Sequence, residues 1–202
     1  KALDFDIPHL SCYCLTVEPN TALDHFVKTK KALPVDEEQA SRQFEILLEK
    51  TAEEGYDHYE ISNFAKKGWY SKHNSSYWKG KSYLGIGPSA HSFDGLNRQW
   101  NIAHNPKYLA AIKKGEVPFE REILTTSQRY NEYVMTSLRT TWGCELKTVK
   151  EFGKNYENHF LTIITPFLED ESVFEKNQIY YLTSKGKLLA DRIAMELFFD
   201  EE

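Results

Sequence analysis

Between His9 and Ala65 two runs of β-forming residues flank one amphipathic helix, and this order constrains the fold more than any other feature. The first run, HLSCYCLTVEP (His9 to Pro19), is short, apolar and stopped by Pro19, which predicts a strand. In the next segment Asp36 can cap, Glu37 and Glu38 occupy the first turn, and Gly55 can terminate. Ala40, Phe44, Leu47, Leu48 and Ala52 then share one face of a helix. YDHYEISNFA (Tyr56 to Ala65) reads as a second strand. Strand, helix, strand predicts a βαβ unit whose two strands are parallel neighbours. In such units chemistry gathers at the C-terminal strand ends. Here those ends are TVEP and ISNFA, so Glu18 and Glu60 are candidate acid–base groups.

The pattern changes further along. Asn105 and Pro106 start a short helix that ends at Gly115, and GEVPFEREILT reads as a connector. Thr126 or Ser127 caps a helix carrying Tyr130, Val134, Leu138 and Trp142 at intervals of four, stopped by Gly143. ELKTVKEFG and NYENHFLTIITPFLED predict two more helices, with Pro166 ending or kinking the second. SVFEKNQIYYLT predicts a hairpin turning near Lys176 and Asn177, and SKGKLLADRIAMELFF a closing amphipathic helix. Helices followed by a hairpin suggest a mostly helical, winged-helix-like second domain, so the division expected is 1–120 and 121–202.

Composition excludes several classes. The 202 residues carry a net charge of −5, so no global basic field favours nucleic acid or an anionic membrane. From Thr125 onward 9 Lys and Arg face 13 Asp and Glu, which opposes phosphate contacts by the helical half. No run of about 18 apolar residues predicts a membrane span. Three cysteines make no disulfide framework, and a reducing, cytoplasmic setting is the default expectation.

The chemistry-bearing stretch is KHNSSYWKGKSYLGIGPSAHSF, Lys72 to Phe93. GIGPSA matches the G-x-G-x-x-A dinucleotide pattern, but Pro88 removes a donor from the loop and no helical pattern follows Ala90. A tight loop in which backbone approaches a ligand or another strand fits better. HNSSYW gathers His73, Asn74, Tyr77 and Trp78. It reads either as a surface turn whose rings cover the end of the strands, or as a site for a planar, partly apolar ligand, with imidazole on iron and rings against a macrocycle. Cys12 and Cys14, two apart on a strand, cannot close a metal site alone and read as buried thiols.

Together HLSCYCLTVEPNT, YEISNFA, HNSSYW and YLGIGPSAHSF, in this order, resemble one family over nearly the whole chain. It is the oxygen-independent coproporphyrinogen III oxidase-like group of radical S-adenosylmethionine (SAM) proteins, and HNxxYW is particular to its haem-chaperone branch. The resemblance implies an α/β fold: the C-terminal portion of a partial (βα)6, TIM-like radical SAM barrel followed by the winged-helix-like domain. Leu10 to Val17 and Tyr56 to Phe64 become the last two barrel strands. It implies SAM contacts at Cys14 and His91, with Ser89 and Ala90 as neighbours, and haem contacts at His73, Asn74, Tyr77 and Trp78, with His73 as the ligand to haem iron. The family's [4Fe–4S] cluster is held by a CxxxCxxC motif that this chain lacks. That lack, and a first residue that is Lys1, lead us to expect the C-terminal part of a longer protein, inactive alone as an enzyme.

Three functions follow as expectations. The first is a haem chaperone with haem or porphyrin as ligand and a haem-recipient protein as partner. The second is a coproporphyrinogen III oxidase that decarboxylates propionate side chains to vinyl groups, giving protoporphyrinogen IX. The third is a winged-helix protein-interaction module. A truncated barrel would also leave an unpaired edge along Leu10 to Val17, open to self-association.

Overall fold

A computed structural model describes residues 2–200. They form two compact units, one ending at Ser71 and the other beginning at Lys72.

In the first unit β1 (His9–Ser11) is followed by α1 (Ala22–Lys28), α2 (Glu37–Glu53), β2 (Tyr56–Glu60) and β3 (Asn63–Lys66). As predicted, Asp36 caps α2 by accepting from the Gln39 N–H at 3.0 Å. Phe44 meets the His58 ring edge-on at 5.9 Å, and His58 stacks on Phe64 at 4.3 Å. Tyr59, Phe64 and Ala65 form the fully buried centre. Ala52 is exposed, and Thr51 is the buried residue in that turn, its hydroxyl donating to the Leu47 carbonyl at 2.7 Å.

The expected pair of parallel neighbours is not formed. The run from Tyr56 to Ala65 is two antiparallel strands that reverse at Ile61 and Ser62, and the sheet order is β1-β3-β2. β1 and β2 point the same way, but β3 lies between them. The Glu60 carboxylate drives the reversal: it accepts from the Ser62 N–H at 3.2 Å and from the Asn63 amide. The first strand is also shorter than expected. Cys12 still donates its N–H to the Ser62 carbonyl, at 2.8 Å, but the chain from Tyr13 to Thr16 is exposed and joins no strand. β3 presents only four residues, so nothing remains for a longer β1 to pair with.

The second unit opens with α3 (Lys72–Trp78), then β4 (His91–Phe93), β5 (Asn97–Asn101), α4 (Asn105–Ile112) and β6 (Phe119–Ile123). These strands make an antiparallel sheet in the order β4-β5-β6. GEVPFEREILT is therefore a connector only in part, since it carries β6. His104, not Asn105, caps α4. Then come α5 (Thr126–Leu138), β7 (Cys144–Glu145), α6 (Leu146–Phe152), α7 (Lys154–Glu169), β8 (Val173–Lys176), β9 (Ile179–Leu182), α8 (Ser184–Leu188) and α9 (Ala190–Glu196).

Thr125 caps α5 in a reciprocal box with Gln128, and the helix ends before Trp142. Pro166 does not end α7, which runs on to Glu169. The β8–β9 turn uses two left-handed residues, Asn177 and Gln178 at φ 56° and 61°, a backbone that matches strand twist. The closing helix divides at Leu189, with Gly186 of α8 pressed against the Ser172 carbonyl. Tyr130, Val134, Phe160, Ile164, Ile193 and Leu197 form the core, and Tyr130 donates its hydroxyl to the Leu197 carbonyl at 3.1 Å. Among the described residues no helix is long and apolar enough to cross a membrane.

Candidate functional site

HNSSYW is helical, not a turn. The Ser76 hydroxyl returns a hydrogen bond to the Lys72 carbonyl at 2.7 Å. Gly80, at φ 59°, closes the helix: its N–H donates to Tyr77 O at 3.0 Å and that of Lys81 to Ser76 O at 3.0 Å. This paired C-terminal closure requires a left-handed residue, which glycine supplies without a Cβ penalty. Helical spacing then puts His73 and Tyr77 on one face. Both are exposed, and their rings meet edge-on at 5.0 Å and 90°. Tyr77 in turn meets Tyr83 at 4.8 Å, and Tyr83 lies 6.1 Å from Phe93. Burial pushes the Tyr83 hydroxyl pKa upward. Trp78 lies half-buried beside Tyr77, with the Arg139 guanidinium 5.7 Å from its ring. Asn74 is half-buried, and Ser75 faces inward and is buried.

Tyr77 and Trp78 also border a cavity of about 460 Å³ within the second unit. Tyr83, Phe93, Tyr133 and Phe152 complete an aromatic lining, and the Arg98–Glu132 ion pair, at 2.5 Å, crosses its edge. This volume falls in the usual range for small-ligand pockets. His73 stands one turn before Tyr77 and is not among the lining residues.

The second half of the stretch is a tight loop leading into β4, so the dinucleotide pattern lacks its helix. A Cβ on Gly85 would stand 2.2 Å from the His91 carbonyl oxygen. The Gly85 N–H donates to the Ser92 hydroxyl at 2.9 Å, and the Asn101 amide donates to the carbonyls of Gly87 and Gly85 at 2.9 and 3.3 Å. The loop thus brings Ser89, Ala90 and His91 onto one turn, with Ser89 left-handed at φ 60°. Ser89 and His91 are exposed, and His91 tilts against Trp100 at 6.2 Å.

Cys14 belongs to the first unit, beyond β1. It is exposed, which corrects its reading as a buried thiol, whereas burial raises the pKa of the half-buried Cys12. Glu60 is buried and committed to the β2–β3 turn, so it is not a free acid–base group. Glu18 is exposed and accepts from the Thr16 hydroxyl at 3.1 Å.

Among the described residues no three Cys, His, Asp or Glu side chains converge to hold a metal. Cys144 is buried in the second unit, far in sequence from the other two. The residues therefore do not fit a [4Fe–4S] cluster, and no step is routed through one. What the second unit offers is an exposed imidazole beside a row of rings and an aromatic cavity. Sequence reasoning found the rings of α3 but missed Arg98, Arg129, Tyr133 and Phe152, which reach the cavity from β5, α5 and α6. One signal was available: Arg129 is a cation in the first turn of a helix, where the macrodipole disfavours it.

No protein-family model matches the chain. It is 32% identical over 194 residues to the haem chaperone HemW of Bacillus subtilis, covering 95% of this chain and 51% of that protein. It is 27% identical over 202 residues to the haem chaperone HemW of Lactococcus lactis, covering 100% of this chain and 53% of that protein. The structure resembles Escherichia coli coproporphyrinogen III oxidase (HemN), a radical SAM enzyme, with a TM-score of 0.58. That likeness is one of fold alone, at 20% identity over 76% of this chain and 40% of the oxidase. The chain is similar to members of the coproporphyrinogen III oxidase-like radical SAM family. Within that family it resembles the haem chaperones called HemW, and it spans about half the length of these curated relatives.

Proposed function

We propose that this chain is part of a haem-handling protein and contributes the haem contact through α3. The observation that carries the reading is the pairing of His73 with Tyr77 on one exposed helix face, at the edge of an aromatic cavity. Haem is the cargo here. The imidazole of His73 offers a nitrogen to its iron, Tyr77 and Trp78 supply apolar ring surface, and Asn74 lies between them in sequence. In this reading a haem-recipient protein is the partner that takes the cargo, in keeping with relatives named haem chaperones.

Several finer elements belong to the same reading. Ser89, Ala90 and His91 contact SAM, and the [4Fe–4S] cluster is held outside this chain. Residues 1–120 continue the partial barrel, and 121–202 form the winged-helix-like domain. The order of α5, α6, α7 and the β8–β9 hairpin supports that last assignment.

Haemin titration of the 202-residue chain tests the haem contact. We expect a Soret shift with the wild type and a displaced or weakened band with His73→Ala. A chain that leaves the haemin spectrum unchanged would refute the site.

A further inference from the structure

We infer that Arg129 is the carboxylate anchor of the aromatic cavity, and that the ligand it selects is a porphyrin bearing free propionates. This deepens the haem reading and rests on it. In a chain of net charge −5, the cavity is lined by Lys79, Lys81, Arg98 and Arg129 against the single acid Glu132. These cations are not equivalent. Arg98 is taken by Glu132, Lys79 lies 4.0 Å over the Trp142 ring, and Lys81 is exposed to water. Arg129 forms no ion pair among the described residues. Its Nη2 reaches only the Thr126 hydroxyl, at 3.4 Å, and its Nε is buried with no acceptor.

An N–H withdrawn from water without an acceptor is destabilising. A cation in the first turn of α5 is disfavoured as well. A ligand carboxylate reverses both effects. Its two oxygens match the planar guanidinium fork, and its negative charge is favoured by the same helix end. Tyr77, Trp78, Tyr83, Phe93, Tyr133 and Phe152 line the same cavity, so a flat, partly apolar body attached to the carboxylate suits it. A porphyrin combines the two: a ring for Tyr77, Tyr83 and Phe152, and a propionate for Arg129. Arg129 would hold the acid of a ligand whose metal the haem reading gives to His73, which stands outside the cavity lining.

Metal-free protoporphyrin IX separates these roles, because it keeps the propionates and lacks iron. Its affinity, and that of its dimethyl ester, are measured by fluorescence with the wild type, Arg129→Gln and His73→Ala. The free acid should bind Arg129→Gln about tenfold or more weakly than the wild type, as expected for losing a charge-assisted pair. The ester should bind both proteins equally and weakly, and His73→Ala should bind the free acid like the wild type. The acid–ester comparison on the wild type does not depend on how the variant folds. Equal affinity of acid and ester for the wild type, or equal affinity of the acid for the wild type and Arg129→Gln, overturns the anchor. So does a wild type that binds neither porphyrin. A His73-dependent haemin Soret shift alongside any of these results leaves the haem reading standing without Arg129.

Discussion

Replacing Gly85 with alanine tests how the loop that carries Ser89, Ala90 and His91 is built. The added Cβ would stand 2.2 Å from the His91 carbonyl oxygen, 2.7 Å from its carbon and 2.8 Å from the Ala90 carbonyl carbon. All three are backbone atoms, so no change of rotamer relieves the clash. Ordinary contact begins at 3.4 Å, and 3.4 less 2.2 leaves about 1.2 Å for the backbone to give. Such a retreat loosens the Gly85–Ser92 hydrogen bond and the pairing of His91 with Trp100. Overpacking of this kind costs about 1–3 kcal/mol. In a chain of this size each kcal/mol lowers the melting temperature by roughly 2–4 °C. Gly80→Ala is the comparison: at φ 59° nothing lies within 4 Å of the new Cβ, so the cost is left-handed strain alone, roughly 1 kcal/mol. Thermal melts and the amide resonances of His91, Ser92 and Trp100 distinguish the two. Gly85→Ala should melt lower and shift those amides, while Gly80→Ala should leave them in place. A Gly85→Ala protein with wild-type melting and unmoved amides would refute the close-approach reading.

The other predictions concern the core and the alkaline limb. Phe160 is fully buried and meets Tyr180 edge-on at 5.0 Å, so Phe160→Ala should cost about 3–5 kcal/mol and lower the urea midpoint without changing the slope. Cys144 is buried, and desolvation pushes its thiol from 9.0 up to about 12. The folded chain therefore keeps a proton that the unfolded chain releases, and stability declines as pH rises from about 9 toward 12. The hydroxyls of buried Tyr130 and half-buried Tyr133 are pushed the same way by desolvation and share this decline. Cys144→Ala should make the fall in urea midpoint between pH 9 and pH 10 shallower; an unchanged slope would count against this account. In the native state at pH 8 a thiol reagent should label Cys14 rapidly and reach Cys144 only on unfolding.

Much of the second unit was legible in the sequence because its helices carry their own punctuation. Thr125 with Gln128, Gly153 and Thr183 mark ends that local chemistry sets, although the cap of α5 falls one residue before the Thr126 or Ser127 expected and the helix stops at Leu138, short of Gly143. The first unit was less legible for a physical reason. The reversal at Ile61 and Ser62 uses neither glycine nor proline, because the Glu60 carboxylate gathers the turn's N–H and amide donors. A run that looks like one strand therefore folds as two, and the expected parallel pair becomes an antiparallel sheet. The rings of HNSSYW stood out, but their helix did not: it has fewer than eight residues and its stop is a single glycine. Asp94-Gly95 was a readable hairpin signal, and Asp94 accepts the Asn97 N–H at 2.7 Å between β4 and β5. The cavity left no sequence trace, because its walls come from segments that only folding brings together.

The helix also changes what the two unspecified letters of HNxxYW mean. Ser75 is turned into the protein and is 8% exposed, with its hydroxyl buried and lacking a partner among the described residues. Ser76 is half-buried and spends its hydroxyl on the preceding turn. A volume limit therefore applies at the first of these positions and not at the second. Alanine or glycine fits at 75, whereas leucine there would lever α3 outward and carry His73 and Tyr77 with it. A variant that keeps every named letter of the motif can still lose the site through a letter the motif leaves blank.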